Sequence, residues 1–191
     1  MKQKPKKVVT KVVIRGKSSK QPLAALSGDR VIIYDQKAAS QLIARSYGES
    51  EGSKLYLSLY EACLLSEEGK IAVPGKGGAA LKPVDLTAKG ESINDGFGMK
   101  YAVFKDLRLK RGYVVKSGIK FGCDFVVYPR GKTPGNSHSK WMVHVMPESA
   151  RLDYSEITRA ARLATNVKKS MLFATVTERG PIYYEIARAK M

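Results

Sequence analysis

The chain has 191 residues, of which 43% are hydrophobic, enough for one domain or two small domains with a real core. No apolar run approaches the roughly 18 residues of a membrane span, and the lysine-rich start lacks the apolar segment of a signal peptide, so we expect a cytoplasmic protein without membrane contact. Cys63 and Cys123 stand alone, without Cys-x-x-Cys spacing or paired histidines, which argues against a disulfide scaffold and structural zinc. We expect no metal and no cofactor.

The net charge of +17 is unevenly distributed along the chain. Residues 1–20 carry eight Lys or Arg and no acid, residues 21–96 have a net charge of −2, and residues 97–191 have a net charge of +11. Such a distribution favours a polyanionic partner, with phosphate contacts supplying much of the affinity. The alternative is the solvated, charged surface of a protein from a hot environment, but the excess follows a domain boundary instead of spreading evenly.

Residues 1–20 are predicted to be a flexible basic arm, in which residues 12–14 suit a strand, and residues 21–95 a small N-terminal α/β domain. Within this domain we expect strands over 23–26 and 31–34 and helices over 37–47 and 55–67. The first helix is expected to be capped by Asp35. In the second helix one core face is expected to carry Leu55, Leu59, Ala62 and Cys63. The glycine-rich loop at 75–80 lacks the spacing of a phosphate-binding loop.

A second domain is predicted over residues 96–191, after a seam near residues 90–96. Its pattern predicts helices at 101–110 and 154–167, and strands at 113–116, 121–128, 141–146, 171–176 and 182–186. A mixed sheet flanked by helices is the economical assembly of these elements. The fold class is therefore α+β or α/β, with a small N-terminal α/β domain followed by a C-terminal mixed-sheet domain.

Tyr128 ends the strand predicted over 121–128, and Pro129 follows it. Strand alternation puts it on the face of Asp124 and Val126, opposite Phe121, Cys123, Phe125 and Val127. One interpretation is a rim tyrosine with a solvated hydroxyl. The other is a general base, for which a phenol of pKa about 10 needs help, and nearby Lys or Arg would lower that pKa.

The sequence contains two histidines, His138 and His144. His144 falls inside the strand predicted over 141–146, on the face of Met142 and Met146, and is interpreted as a histidine of the sheet. His138 lies in the polar stretch 131–140. A loop histidine there is equally typical of a general acid and of a residue without function.

Lys168 and Lys169 close the helix predicted over 154–167, where cations also suit the helix dipole, and this alone explains either lysine. Together, however, a phenol, an imidazole and an ammonium can take a proton from a 2′-hydroxyl, protonate a leaving 5′-oxygen and stabilise charge on the phosphorus. Tyr128, His138 and one of these lysines would therefore supply the groups that metal-free RNA cleavage needs, although every basic protein contains such residues and they prove nothing alone.

The stretches that hold these residues read FGCDFVVY (121–128), HSKWMVHV (138–145) and RLATNVKKSML (162–172). In that order and spacing they closely resemble the catalytic domain of the archaeal tRNA-intron splicing endonucleases. Residues 111–113 and 116–122 belong to the same likeness, and residues 57–70 are similar to the N-terminal domain of that family. The resemblance implies a restriction-endonuclease-like catalytic domain.

The resemblance also implies excision of introns from precursor tRNA at bulge-helix-bulge sites, without metal, leaving 2′,3′-cyclic phosphate and 5′-hydroxyl ends. It implies Tyr128 as general base, His138 as general acid and Lys169, ahead of Lys168, as the residue that stabilises the transition state. Arg162 matches a family arginine that stacks on a bulged base, and Arg188 is a weaker match for the opposing arginine.

Family members act with four units assembled, and an acidic loop of one subunit docks into a basic pocket of another. The aligned loop here is 177–181, where Arg179 offsets Glu178. This departure favours an α2β2 heterotetramer with a structural paralogue over a homotetramer, which stays the alternative.

Two other function classes fit the sequence less well. A metal-dependent DNA nuclease would need clustered acids of the Pro-Asp…Asp/Glu-x-Lys kind, but the chain has no Pro-Asp pair and its only Glu-x-Lys, 68–70, lies in the other domain. A non-catalytic RNA-binding or structural paralogue of the same assembly would explain the charge. It would be expected to have lost the Tyr, His or Lys, so the sequence predicts an enzyme.

Overall fold

A computed structural model describes residues 21–75 and 77–188 of the chain. The chain divides into two compact units, and the division falls between Ile93 and Asn94. The basic arm expected over residues 1–20, with its strand near 12–14, lies outside the described residues. Within the part of the chain that is described, no helix has the length and apolar character needed to cross a membrane.

The first unit contains a four-stranded antiparallel sheet in the order β1-β2-β4-β3. Its strands are β1 (Ala24–Ser27), β2 (Arg30–Ile33), β3 (Glu49–Glu51) and β4 (Lys54–Ser58). Its helices are α1 (Gln36–Ala44), α2 (Leu59–Glu67) and α3 (Pro83–Glu91). The Asp35 carboxylate accepts a 2.6 Å hydrogen bond from the Ala38 amide, so the predicted cap of α1 is confirmed.

The helix predicted over 55–67 is wrong in its first turn, because residues 55–58 belong to strand β4. Leu55 and Leu57 are fully buried and pair with β2, as strand alternation requires. Ser58 then ends the strand and begins α2, since its hydroxyl accepts from the Glu61 amide while its own amide donates to the Glu61 carboxylate. This local capping sets the boundary that apolar periodicity alone missed.

Two further helical segments differ from the prediction. Helix α3 occupies a stretch in which no helix was expected, and it begins with Pro83, whose missing amide costs nothing in a first turn. Helix α4 (Phe97–Lys105) begins four residues before the predicted 101–110 helix, directly after Gly96, whose φ of 70° ends the preceding turn. The helical path continues as a π-helical turn, Asp106–Lys110, and ends where it was predicted to end.

The second unit contains a five-stranded mixed sheet in the order β5-β6-β7-β8-β9. Its strands are β5 (Val114–Ser117), β6 (Phe125–Tyr128), β7 (Trp141–Pro147), β8 (Ser170–Thr177) and β9 (Gly180–Ile186). Strands β7 and β8 are parallel and the other neighbours are antiparallel. Helix α5 (Tyr154–Asn166) connects β7 to β8.

The sheet of the second unit lies between two helices. On one face Phe104 of α4 contacts Phe125, with ring centroids 6.0 Å apart. On the other face lies a core that we call the α5-side cluster, formed by Cys123, Val126, Met142, Ala164, Met171 and Phe173. A mixed α+β architecture with helices flanking the sheet was predicted and is confirmed.

Strand β6 is shorter than the predicted 121–128 strand. Residues Ile119–Phe121 form a 3-10 turn, and Gly122 has a φ of 70°, in the left-handed region that favours glycine. The predicted alternation therefore fails before Phe125: Cys123 lies in the α5-side cluster together with Val126, and not on the face of Phe125. Tyr128 keeps its predicted position on the face of Val126 and packs against that cluster.

Candidate active site

Tyr128 is the last residue of β6, and its side chain is half-buried. Burial raises the pKa of Tyr128 above its ordinary value, because the charged phenolate loses hydration, and the side chain of Ser139 offsets part of that rise. The expectation that nearby Lys or Arg would lower this pKa is wrong, since burial dominates and the group that lowers it is a serine hydroxyl.

His138 lies in the loop between β6 and β7 and is exposed. Before it, the carbonyl oxygen of Thr133 accepts hydrogen bonds from the amides of Asn136 and Ser137, at 3.2 and 3.1 Å. After it, Ser139 is only 6% exposed. The chain is thus held on both sides of His138 while the imidazole stays accessible to a ligand.

Lys169 lies between the end of α5 and the start of β8 and is half-buried. Its Nζ donates to the carbonyl oxygen of Val167 at 3.2 Å and lies 5.7 Å from the centroid of the Phe121 ring. The adjacent Lys168 is exposed and has a φ of 56°, which is uncommon for a residue other than glycine. The two lysines therefore differ in burial and in backbone conformation, and only Lys169 enters the sheet edge described next.

The strand register places Tyr128 and Lys169 in one row at the same edge of the sheet. Strand β6 pairs Val127 with Trp141, and β7 pairs Trp141 with Ser170. One residue further toward this edge the row reads Tyr128, Lys140, Lys169. Neighbouring strands lie about 4.8 Å apart, so the backbones of Tyr128 and Lys169 are separated by roughly 10 Å, with the chain that carries His138 entering between them.

The same row lies on the α5 side of the sheet. Paired residues on neighbouring strands point to one face, and the row of Val126, Met142 and Met171, two residues further in, lies in the α5-side cluster. The contact of Lys169 with Phe121 and the packing of Tyr128 against this cluster agree with that placement. The edge therefore presents a phenol and an ammonium from one face, beside an exposed imidazole.

The two arginines predicted to bind RNA lie around this edge. Arg162 is exposed on α5, one turn before the helix ends at Asn166. Lys169 lies three residues beyond Asn166. Arg188 is exposed and lies two residues beyond the end of β9. Because Ile186 at the end of β9 pairs with Met171, the chain that carries Arg188 leaves the sheet next to the start of β8. Arg162 also shares an open groove along α5 with Tyr154, Ser155, Thr158, Arg159, Leu163 and Asn166.

His144 lies within β7, as predicted, and takes no part in this edge. Its ring stacks on Phe173 at 6.0 Å between centroids, and its Nδ1 lies 3.9 Å from a carboxylate oxygen of Asp124. The same carboxylate accepts from the Val145 amide at 2.8 Å and lies 3.1 Å from Lys100 Nζ. His144 therefore belongs to a structural network that joins β7 to α4.

Ser139 and Lys140 were not singled out from the sequence. Both fall in the HSK triplet, in which only the histidine attracted notice. Alternation counted back from the strand at 141–146 would have put Lys140 on the same face as Met142, but nothing in the pattern marks a lone serine as buried. Within residues 21–75 and 77–188, no group of three or more His, Cys, Asp and Glu side chains is arranged to hold a metal ion.

The segment aligned with the acidic loop, residues 177–181, is the tight turn between β8 and β9. Thr177 pairs with Gly180, which leaves Glu178 and Arg179 at the tip. The Thr177 hydroxyl donates to the Gly180 carbonyl oxygen at 2.9 Å and accepts from the Arg179 amide at 3.2 Å. The turn carries one charge of each sign.

Comparison with known proteins agrees with this architecture. Residues 97–184 match the family model described as tRNA intron endonuclease, catalytic C-terminal domain, and residues 23–87 match the model for the N-terminal domain of the same family. The chain belongs to the tRNA intron endonuclease family. Both matched segments fall within the two units described above.

Individual relatives match over nearly their whole length. A tRNA-splicing endonuclease of Thermococcus onnurineus is 44% identical over 174 residues, which cover 90% of this chain and 99% of that protein. A tRNA-splicing endonuclease of Pyrococcus horikoshii is 46% identical over 160 residues, or 83% of this chain and 91% of that protein. A tRNA-splicing endonuclease of Hyperthermus butylicus is 36% identical over 173 residues.

Proposed function

We propose that this chain is an endoribonuclease that excises introns from precursor tRNA at bulge-helix-bulge sites, by transesterification that needs no metal. The observation that carries the proposal is the common row of Tyr128 and Lys169 at one sheet edge, with His138 exposed in the loop that enters between them. Membership in the tRNA intron endonuclease family supports the same substrate.

The reaction begins when Tyr128, as a phenolate, accepts the proton of the 2′-hydroxyl next to the scissile phosphate. The 2′-oxygen then attacks the phosphorus, and the bond from phosphorus to the 5′-oxygen breaks. His138 donates a proton to that leaving oxygen. The products are a 2′,3′-cyclic phosphate and a 5′-hydroxyl.

Lys169 stabilises the negative charge that develops on the phosphoryl oxygens. Its ammonium is held beside the Phe121 ring and the Val167 carbonyl oxygen, so little reorganisation is needed when the substrate arrives. Preorganised cations of this kind contribute about 10²–10³-fold to the rate of comparable reactions.

Arg162 and Arg188 are proposed to bind the unpaired bases of the bulge. A guanidinium plane can stack on an unpaired base and also reach a phosphate. Both side chains are exposed, and each belongs to a segment that borders the start of β8, where Lys169 lies. This places base recognition next to the proposed chemistry.

The working assembly is proposed to be an α2β2 heterotetramer, in which a structural paralogue supplies a more acidic docking loop. The support is the tight 177–181 turn, whose Glu178 and Arg179 offset each other. A homotetramer is the alternative. Light scattering on the purified chain tests this, and monodisperse homotetramers that cleave precursor tRNA with no second polypeptide would contradict the proposal.

The decisive experiment is cleavage of an intron-containing precursor tRNA in excess EDTA, with analysis of the product ends. The proposal predicts cleavage with cyclic phosphate ends, either by the chain alone or after co-expression with a paralogue. Cleavage that appears only with Mg²⁺ contradicts the metal-free mechanism. Absence of cleavage under every condition supports the other candidate, a non-catalytic RNA-binding or structural paralogue.

A further inference from the structure

The turn that precedes β6 holds an aromatic side chain at the surface. Phe121 is 39% exposed, whereas Cys123 and Phe125, which follow it in the chain, are buried. Burial of apolar surface stabilises a fold, and phenylalanine is among the residues that proteins bury most often. The exposed part of the Phe121 ring adds nothing to the core and is accessible to a ligand.

The backbone of this turn is fixed before any ligand binds. The Phe121 amide donates to the Gly118 carbonyl oxygen at 2.8 Å, and the Gly118 amide donates to the Asp124 carbonyl oxygen at 3.0 Å. A Cβ atom on Gly118 would lie 2.9 Å from the Cys123 carbonyl oxygen, so only glycine allows this close approach. Because Cys123 is buried in the α5-side cluster, the turn is anchored to the core and Phe121 has a defined position.

The Phe121 ring lies next to the ammonium group of Lys169. The Lys169 Nζ is 5.7 Å from the ring centroid, which is within the range of a cation–π contact. A Cβ atom on Gly122 would lie 3.9 Å from Leu163 Cδ2, so the same turn also lies against α5, beside the residue that follows Arg162. The turn therefore connects the lysine proposed to act on the scissile phosphate with the helix that carries a proposed base-binding arginine.

The charges around the ring favour RNA as its ligand over a second protein surface. Residues 116–122 contain Lys116 and Lys120 and no acid, within a domain of net charge +11. Proteins bind single-stranded nucleic acid with this combination, since an aromatic ring stacks on a base while nearby cations contact phosphates. Protein interfaces, in contrast, are depleted of lysine around their aromatic residues.

We propose that Phe121 and Lys169 form a nucleotide subsite, in which the Phe121 ring stacks on the base next to the scissile phosphate while Lys169 contacts that phosphate. This inference rests on the proposed function and adds a base contact that is separate from those of Arg162 and Arg188. A single sugar links a base to its phosphate, so a ring beside the phosphate-binding ammonium lies where the adjacent base is placed. Every base has a π face, so the subsite selects an unpaired nucleotide and not a particular base.

The test uses a bulge-helix-bulge RNA with a 2′-deoxyribose at the scissile nucleotide, which lacks the attacking hydroxyl and is bound without being cleaved. In fluorescence anisotropy, Phe121→Ala should weaken binding about 5–150-fold, the effect of losing one base–aromatic stack. Phe121→Leu keeps an apolar side chain without a ring and should weaken binding similarly, whereas Phe121→Trp should retain it. The matched control is Ile119→Ala, which changes an apolar residue of the same turn that is 78% exposed and should leave binding unaltered.

Removal of the base separates stacking from every other effect of the ring. Two further RNAs each lack one base, on the 5′ or the 3′ side of the scissile phosphate. One of them should bind the native chain as weakly as the intact RNA binds Phe121→Ala. That RNA should lose no more than about twofold in addition when it is combined with Phe121→Ala, because both changes remove the same contact. If Phe121→Ala weakens the intact RNA and both abasic RNAs equally, the ring contacts no base and the inference is overturned.

The remaining outcomes separate this inference from its alternatives. If Phe121→Ala changes the oligomeric state in light scattering and shows no coupling to either abasic RNA, the ring belongs to a protein interface and the inference is overturned. The binding test does not require catalysis. If the native chain cleaves no precursor tRNA but the coupling is found, the proposed cleavage fails and the stacking contact stands.

Discussion

The amide of Ser170 donates a 3.1 Å hydrogen bond to the carbonyl oxygen of Lys140, and this bond joins the starts of the two parallel strands β7 and β8. Because the amide of Lys140 also donates to Val127, three neighbouring strands are tied at one level of the sheet. Lys169, one residue before Ser170, is therefore placed in the row of Tyr128 by the backbone.

This placement distinguishes Lys169 from the lysine beside it. We expect Lys169→Gln to reduce the single-turnover rate of precursor cleavage by about 10²–10³-fold, because the charge that stabilises the transition state is removed. Lys168→Gln removes the same charge from an exposed position and should stay within about threefold of the native rate. Equal losses in the two variants would mean that both lysines act only through the overall charge.

The role of Tyr128 as a base can be isolated in the His138→Ala background. In this variant the proposed general acid is absent, so the pH dependence of the rate reports the proposed base alone. Without His138, the rate should rise about tenfold per pH unit, as the phenolate fraction does below its pKa. Since burial raises the pKa of Tyr128, this rise should reach no plateau below pH 10, the ordinary value of a phenol.

The control for this experiment is the double variant His138→Ala with Tyr128→Phe, which should be slower and independent of pH. If His138→Ala alone already shows a pH-independent rate, Tyr128 does not act as a base but only positions the 2′-hydroxyl.

Arg162 should matter for bulged RNA and little for paired RNA. Stacking on a base is worth about 1–3 kcal/mol, so Arg162→Ala should weaken binding of a bulge-helix-bulge RNA about 5–150-fold. Arg151→Ala, an exposed arginine just before α5, removes the same charge and is the matched control. Fluorescence anisotropy with a bulged and a fully paired RNA measures both. Equal weakening toward the two RNAs would indicate a phosphate contact instead of base stacking.

The sequence was sufficient for the two-domain α+β architecture, for Tyr128 at the end of a strand and for His138 in a loop. The predicted alternation of side chains failed before Phe125, because the positive φ of Gly122 interrupts the extended backbone and Cys123 lies on the face of Val126. Strand propensities of the residues do not predict that backbone angle. The burial of Ser139 also could not be predicted, because it depends on pairings between residues about 10 to 30 positions apart in the chain. Proximity of Lys169 to the row of Tyr128 required the register itself.

Asp124 should make the second unit sensitive to acid. Burial raises the pKa of Asp124, but its interactions with His144, the Val145 amide and Lys100 outweigh the effect of burial, so the pKa lies below the ordinary 3.8. A carboxyl whose folded-state pKa is depressed stabilises the fold above its unfolded-state pKa, and this contribution is lost as the pH falls through the folded-state value.

We therefore expect Asp124→Asn to lower the free energy of unfolding by about 2 kcal/mol at pH 7, the scale of hydrogen bonds to a charged group. The difference from the native protein should shrink as the pH falls below 3.8, where the native carboxyl also loses its charge. Urea unfolding measures this free energy for the second unit when it is followed by the fluorescence of Trp141, the single tryptophan of the chain, which lies in that unit. As a control, Glu148→Gln changes an exposed acid of the same unit and should leave the stability unaltered at every pH. If Asp124→Asn instead lowers the free energy of unfolding by the same amount at every pH, the residue acts through packing and not through its charge.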